Sequence, residues 1–170
     1  VNELRFEGIT LGNLSGLDAS EERFAEAERG FRAALDLHRA VGNRRFECID
    51  LAALGDLLRA SGRDGEALPV LEQALAIHRE VGNRPMEWLT LGNLAGVHEC
   101  EGRIEAAERC FGQALAILRE CGQRRSEGVV LGNLANLDAA AGRHELAERR
   151  LREALEIHRS VGNRRSEGIV

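Results

Sequence analysis

Aromatic side chains are scarce in this sequence, at 4% of 170 residues, with one Trp, five Phe and no Tyr. That scarcity counts against a β-sandwich, whose packed faces draw on Val, Ile and aromatics. Proline is nearly absent too, with two residues, so little interrupts a helix. No apolar run approaches the roughly 20 residues of a membrane span. No basic block or basic–aromatic stripe appears, and the formal net charge is −5 with Arg and Glu interspersed, which argues against nucleic acid as a partner. The four cysteines, Cys48, Cys100, Cys110 and Cys121, form no C-x-x-C pair, so neither a zinc ribbon nor a redox motif is supported. They are expected to be reduced thiols of a cytoplasmic protein. There is no signal peptide and no initiating Met; the sequence opens at Val1 and stops at Val170 in mid-pattern. It reads as a segment of something longer.

What is present is an apolar share of 44%, much of it Leu and Ala, which suits packed helices in one domain of ordinary size. It is arranged in a repeat. Gly42, Gly82, Gly122 and Gly162 stand 40 residues apart, as do Leu11, Leu51, Leu91 and Leu131. Leu14, Leu54, Leu94 and Leu134 keep the interval, and so do Ala27, Ala67, Ala107 and Ala147. The expected units are 1–40, 41–80, 81–120 and 121–160, with 161–170 opening a fifth.

Each unit reads as two helices. In the third, the spacing predicts one from Arg84 to Cys100 and another from Ile104 to Glu120. Gly82 is placed for a left-handed cap, Asn83 for an N-cap, and Pro85 for the first turn. Gly62, Gly102 and Gly142 break their units between helices, whereas the first unit has Glu22 there. Pro69 lies inside a second helix and predicts a local distortion. Leu131, Leu134, Ala135 and Leu137 form the apolar side of one helix, and Ala147, Leu151, Ala154 and Leu155 that of its partner. One hairpin cannot bury both faces, but stacked units can.

These residues resemble the tetratricopeptide repeat. Leu91, Leu94 and Ala95 fill the family's large, Leu and small positions, and Ala107, Phe111 and Ala114 fill its second-helix set. The small position varies as Ser15, Gly55, Ala95 and Ala135, and the unit is about six residues longer than the common one. With its L-G-N-L wording it is similar to the long variant of kinesin light chains, spindle-orientation adaptors and bacterial signalling and regulatory proteins. The resemblance implies an all-α, right-handed superhelical solenoid of antiparallel helix pairs. It also implies a concave groove, lined by the first helices, that binds peptides or protein segments.

A second stripe runs along the first helices opposite the apolar side: Gly12, Asn13 and Gly16; Ala52, Ala53 and Asp56; Gly92, Asn93 and Gly96; Val129, Gly132, Asn133, Asn136 and Ala140. Glycine inside a helix costs about 1 kcal/mol relative to Ala, and Asn both donates to and accepts from an extended main chain. The resemblance implies that Asn13, Asn93, Asn133 and Asn136 grip a partner's backbone, with Ala53 a break in the ladder. Asp56, Arg59 and Glu99 are candidate specificity residues. The competing readings are inherited repeat wording for the Gly and Asn residues and a solvated face for the charges.

His38, His78 and His158 recur at one position, and Glu47, Glu87 and Glu167 recur nine residues later. They are expected to bond pairwise and tie neighbouring units, each carboxylate favouring the charged imidazole, so that stability weakens as pH rises. Two ligands per site fall short of the four a structural zinc takes, so no metal is expected. No Ser/His/Asp or Cys/His constellation and no phosphate loop is present, so neither catalysis nor a cofactor is expected. Two functions follow: a non-catalytic scaffold that binds a protein or peptide in the groove, or a spacer of a larger ATPase- or protease-linked regulator. The spacer would stack end to end through uncapped terminal repeats.

Overall fold

The computed structural model describes residues 2–162. Among them are eight α-helices and no strand: α1 (Asn2–Ser20), α2 (Phe24–Ala40), α3 (Arg44–Ala60), α4 (Asp64–Glu80), α5 (Arg84–Cys100), α6 (Ile104–Glu120), α7 (Arg124–Ala140) and α8 (His144–Ser160). The bounds of α5 and α6 are those predicted from the spacing. The last predicted segment, beyond residue 162, lies outside the described residues, and Glu167 with it.

Turn chemistry sets the helix ends. Gly42, at φ +65°, occupies the left-handed region that stops α2. The Asn43 N–H then closes the cap by donating to the His38 carbonyl at 2.8 Å, the Schellman arrangement. The same bond recurs from Arg63 to Leu58, Asn83 to His78, Arg103 to His98, Gln123 to Leu118 and Arg143 to Asp138. In the first turn Glu22 takes the glycine's place at φ +60°, and the Arg23 N–H still reaches the Asp18 carbonyl at 2.9 Å. Asn43 makes no side-chain cap; its amide instead reaches His38. Helix α4 runs unbroken across Pro69.

The chain divides into two compact units, Val1–Val97 and His98–Val170. In the first, α1 packs on α2 and α3 on α4, while α3 also packs on α2 and touches α1. Its core holds Ala27, Phe31, Ala34, Leu51, Leu54, Leu58, Leu71 and Ala74, each at most 3% exposed. The small position works as expected: a Cβ on Gly55 would sit 2.5 Å from the Leu71 side chain, so only glycine lets α3 and α4 approach this closely. In the second unit α7 packs on α8 and on α6, around Leu131, Ala154 and Ile157, with Leu115 packed against them.

Leu151 departs from its predicted place in the core. It is 48% exposed, whereas Phe31, Leu71 and Phe111 at the same repeat position are buried. In α2 and α6 that side chain is covered by the next repeat's first helix; the counterpart here falls on residues beyond 162.

Candidate functional site

The first helices carry their core on one side and a polar stripe on the other. Leu51, Leu54 and Leu58 of α3 are buried, while Asp56 is exposed and Arg59 half-buried. On α1, Asn13 and Gly16 are exposed; on α5, Asn93 and Gly96 are half-buried; on α7, Asn133 and Asn136 are exposed. Glu99, near the end of α5, is exposed too. The stripe residues thus lie on accessible surface of their own helices. Each unit holds its own share of them.

Their hydrogen-bonding capacity is unspent. None of the Asn13, Asn93, Asn133 or Asn136 amides makes a hydrogen bond within the described chain. Asn43 and Asn83, by contrast, are used internally, Asn43 on His38 at 3.3 Å and Asn83 on the Cys48 thiol. Asp56 and Arg59 form a pair at 3.3 Å, and the Arg59 guanidinium lies alongside Gly96, where a Cβ would be 3.6 Å from it. A Cβ at Gly16 would meet nothing within 4 Å. No internal packing requires glycine at 16 or 96. At Gly12 the stripe reading is corrected: this residue is buried, and a Cβ there would come within 2.6 Å of the Asp50 carboxylate.

In the second unit the stripe borders an open cleft of about 580 Å³, lined by Val129, Gly132, Asn133 and Asn136 of α7 and by Leu151 and Leu155 of α8. It offers an apolar floor and two free amides.

The predicted ties of His38 to Glu47 and of His78 to Glu87 do not form, and that of His158 to Glu167 lies outside the described residues. Glu47 instead takes hydrogen bonds from Arg39 at 3.0 Å and Arg44 at 2.7 Å. Glu87 takes them from Arg79 at 3.1 Å and Arg84 at 2.8 Å, and Glu127 from Arg119 at 2.9 Å and Arg124 at 2.6 Å. A buried carboxylate clamped by two half-exposed arginines thus ties successive repeats. The physical reason is reach: a guanidinium spans the junction and presents a fork matched to the carboxylate, while the shorter imidazole is enclosed. Burial pushes the Glu87 carboxyl up, but hydrogen bonds from Arg84 and Arg79 and their charges outweigh it and leave it below its ordinary value. Glu87→Gln is expected to cost about 1 kcal/mol at neutral pH. The gap should close as acid protonates the wild-type carboxyl, as read by urea unfolding at several pH values. The arginine positions recur as strictly as the glutamates, and that recurrence was the signal that could have identified the clamp.

The histidines lie inward. His38 packs on Gly8 and His158 on Gly128, where a Cβ would come within 2.8 Å of either ring. His78 is fully buried, with neither ring nitrogen hydrogen-bonded. Burial lowers both His38 and His78, with Glu47 and Glu87 opposing only in part. The expected sign is therefore reversed. An imidazole kept neutral in the fold loses stability as pH falls below its unfolded value.

His38 also faces a carboxyl that sequence reasoning missed. Its Nε2 lies 3.2 Å from Asp50 Oδ2, without the alignment of a hydrogen bond. Asp50 is 5% exposed, and burial pushes its carboxyl up to about 7. With Nδ1 accepting from the Asn43 amide, the ring proton is assigned to Nε2, towards Asp50. Among the described residues no three His, Cys, Asp or Glu side chains gather as metal ligands, and no helix is long and apolar enough to cross a membrane.

Comparison with known proteins fits this architecture. A family model described as tetratricopeptide repeat matches residues 6–80 and 88–160. No curated protein matches in sequence. Among solved structures, BtubC (BKLC) from P. vanneervenii is similar at TM-score 0.84 and 18% identity, over 91% of this chain and 64% of that one. Aspartyl phosphate phosphatase F from Bacillus subtilis is similar at TM-score 0.87 and 12% identity, over 95% of this chain and 43% of that one. The nearly identical TPR-like repeats of a kinesin light chain candidate from Podosopora anserina give TM-score 0.75 at 18% identity, over 89% and 74%. The chain thus spans less than two thirds of the first and second of these. At such identities the likeness shows the fold.

Proposed function

Since the chain belongs to the tetratricopeptide repeat family, whose repeats generally mediate protein–protein contact, we propose that it is a non-catalytic scaffold binding an extended peptide or protein segment along the stripe of its first helices. The observation that carries this reading is the unspent hydrogen-bonding capacity of Asn13, Asn93, Asn133 and Asn136. The fold employs Asn43 and Asn83 for its own structure and leaves these four amides accessible. A primary amide both donates and accepts, which matches the alternating N–H and C=O groups of an extended segment. Asp56, Arg59 and Glu99 flank the stripe and supply charge selectivity. The reading needs no cofactor or metal, and it places the chain in the cytoplasm, where Cys48, Cys100, Cys110 and Cys121 stay reduced.

The test begins with peptides selected from a display library on the 170-residue chain. Their affinity should fall roughly tenfold or more in an Asn93→Ala, Asn133→Ala variant, at about one charge-free hydrogen bond per amide. Unchanged affinity would overturn the reading. Gly16→Ala and Gly96→Ala add a methyl group to the stripe without a clash. Each is expected to raise helix stability by up to about 1 kcal/mol while weakening the selected peptides. A stability gain with no binding loss would mark these glycines as inherited wording.

A further inference from the structure

Beside its amides, the stripe carries an apolar row and a basic row in the same register. Ile9, Ile49 and Leu89 recur at one repeat position, four residues before Asn13, Ala53 and Asn93, and so share their helix face. Four residues earlier again stand Arg5 on α1 and Arg45 on α3. Ile9 and Ile49 are half-buried and Leu89 is 43% exposed, whereas Leu51 and Leu91, two residues on, are at most 2% exposed. Helix α3 keeps this surface with a neighbour on either side: it touches α1, and its Arg59 lies alongside Gly96 of α5. The row is therefore not the bare flank of an end helix. It lies within the first compact unit, which runs to Val97.

The basic row has no structural task. Arg44 donates to Glu47 and to Glu80, each at 2.7 Å. The adjacent Arg45 is exposed, and its side chain has no hydrogen bond or ion pair among the described residues; the same holds for Arg5. Both stand in the first turn of their helices. A cation there meets the positive end of the helix dipole and lowers helix stability. The carboxylate that shares this face of α3, Asp56, lies three turns away and is paired with Arg59 at 3.3 Å.

We infer that the segment held on this stripe is acidic and apolar: it brings a carboxylate to Arg45, with Arg5 at the equivalent place on α1, and lays an apolar side chain against Ile49 and Leu89. The inference rests on the peptide-binding reading and adds the partner's chemistry to it. A carboxylate at Arg45 meets a guanidinium fork and a helix N-terminus together. One turn further along the helices, apolar surface leaves water. The amides alone would accept any extended main chain; the basic and apolar rows select among them.

Peptides selected from a random-sequence display library on the 170-residue chain test it, with affinities read by fluorescence anisotropy. The selected set is expected to be enriched in Asp or Glu together with a large apolar residue. Arg45→Gln should weaken a selected acidic peptide about fivefold or more, and should have little effect once that peptide's carboxylates are replaced by amides. Leu89→Ala should weaken the acidic and amide forms alike, by about fivefold or more. Arg109→Gln, at an exposed arginine of the second helix α6, should change neither affinity, which separates local recognition from overall charge. Arg45 has no partner in the fold, so circular dichroism melting of its variant should not fall. Selected peptides that weaken in the Asn93→Ala, Asn133→Ala variant yet show no acidic enrichment, or no response to Arg45→Gln, would overturn this inference and leave the stripe reading standing. Peptides indifferent to both variants would overturn the two together.

Discussion

Leu54→Ala is expected to lower the free energy of unfolding by about 3 kcal/mol, while Leu14→Ala lowers it by less than about 1 kcal/mol. The two leucines occupy the same repeat position. Leu54 is 2% exposed and Leu14 52% exposed, so only the first truncation leaves a cavity. The removed carbons are identical, which makes the difference a direct reading of what the preceding second helix contributes to a repeat. Chemical denaturation of the two variants supplies the numbers. Equal losses at the two positions would mean that the repeats are not packed in the register described here.

Replacing Asp50 should alter the pH profile more than any other single change at this junction. Asp50→Thr introduces the residue found at the equivalent position 90. There Thr is fully buried, and its hydroxyl donates to the Met86 carbonyl of its own helix at 3.2 Å. The Asp50 carboxyl keeps its proton to about pH 7 in the fold, whereas in the unfolded chain it loses it near pH 4. Between those limits the folded state holds more protons than the unfolded, so the wild type loses about 1.4 kcal/mol of stability per pH unit as pH rises. The advantage of Asp50→Thr should therefore grow by about 2–3 kcal/mol between about pH 5 and pH 8. His38 and Gly12 face this carboxyl, and threonine, of similar size, is already fully buried at the equivalent position 90. Parallel profiles for the two proteins would show that Asp50 ionises normally.

The helices and turns were legible because their causes are local. Glycine at φ +65° to +75° in the turns and an apolar spacing of three and four residues need nothing distant, and four concordant copies averaged out exceptions such as Glu22 and Pro69. The inter-repeat ties were legible only in part. Glu47 and Glu87 were marked by their period, but choosing His or Arg as partner depends on how far each side chain reaches across a junction, which spacing along one strand of sequence does not encode. Glycine was ambiguous for the same reason. Gly12 and Gly16 sit one turn apart in the L-G-N-L-S-G wording, yet one accepts the Asp50 carboxylate of the next repeat and the other faces open space. Asp50 itself stands alone at its position, with Thr10, Thr90 and Val130 elsewhere, so no repetition drew attention to it. The Asn stripe was legible as a pattern, and the structure adds that its amides are accessible and uncommitted.

The proposed binding surface is the first-helix stripe. It is tested most directly by amide chemical-shift mapping of the 170-residue chain as a library-selected peptide is added. The largest changes are expected at Asn13 and Gly16, Asp56 and Arg59, Asn93 and Gly96, and Asn133 and Asn136, with the outer faces of α4 and α6 unchanged. Perturbations concentrated on those second helices, with the asparagine amides silent, would contradict it.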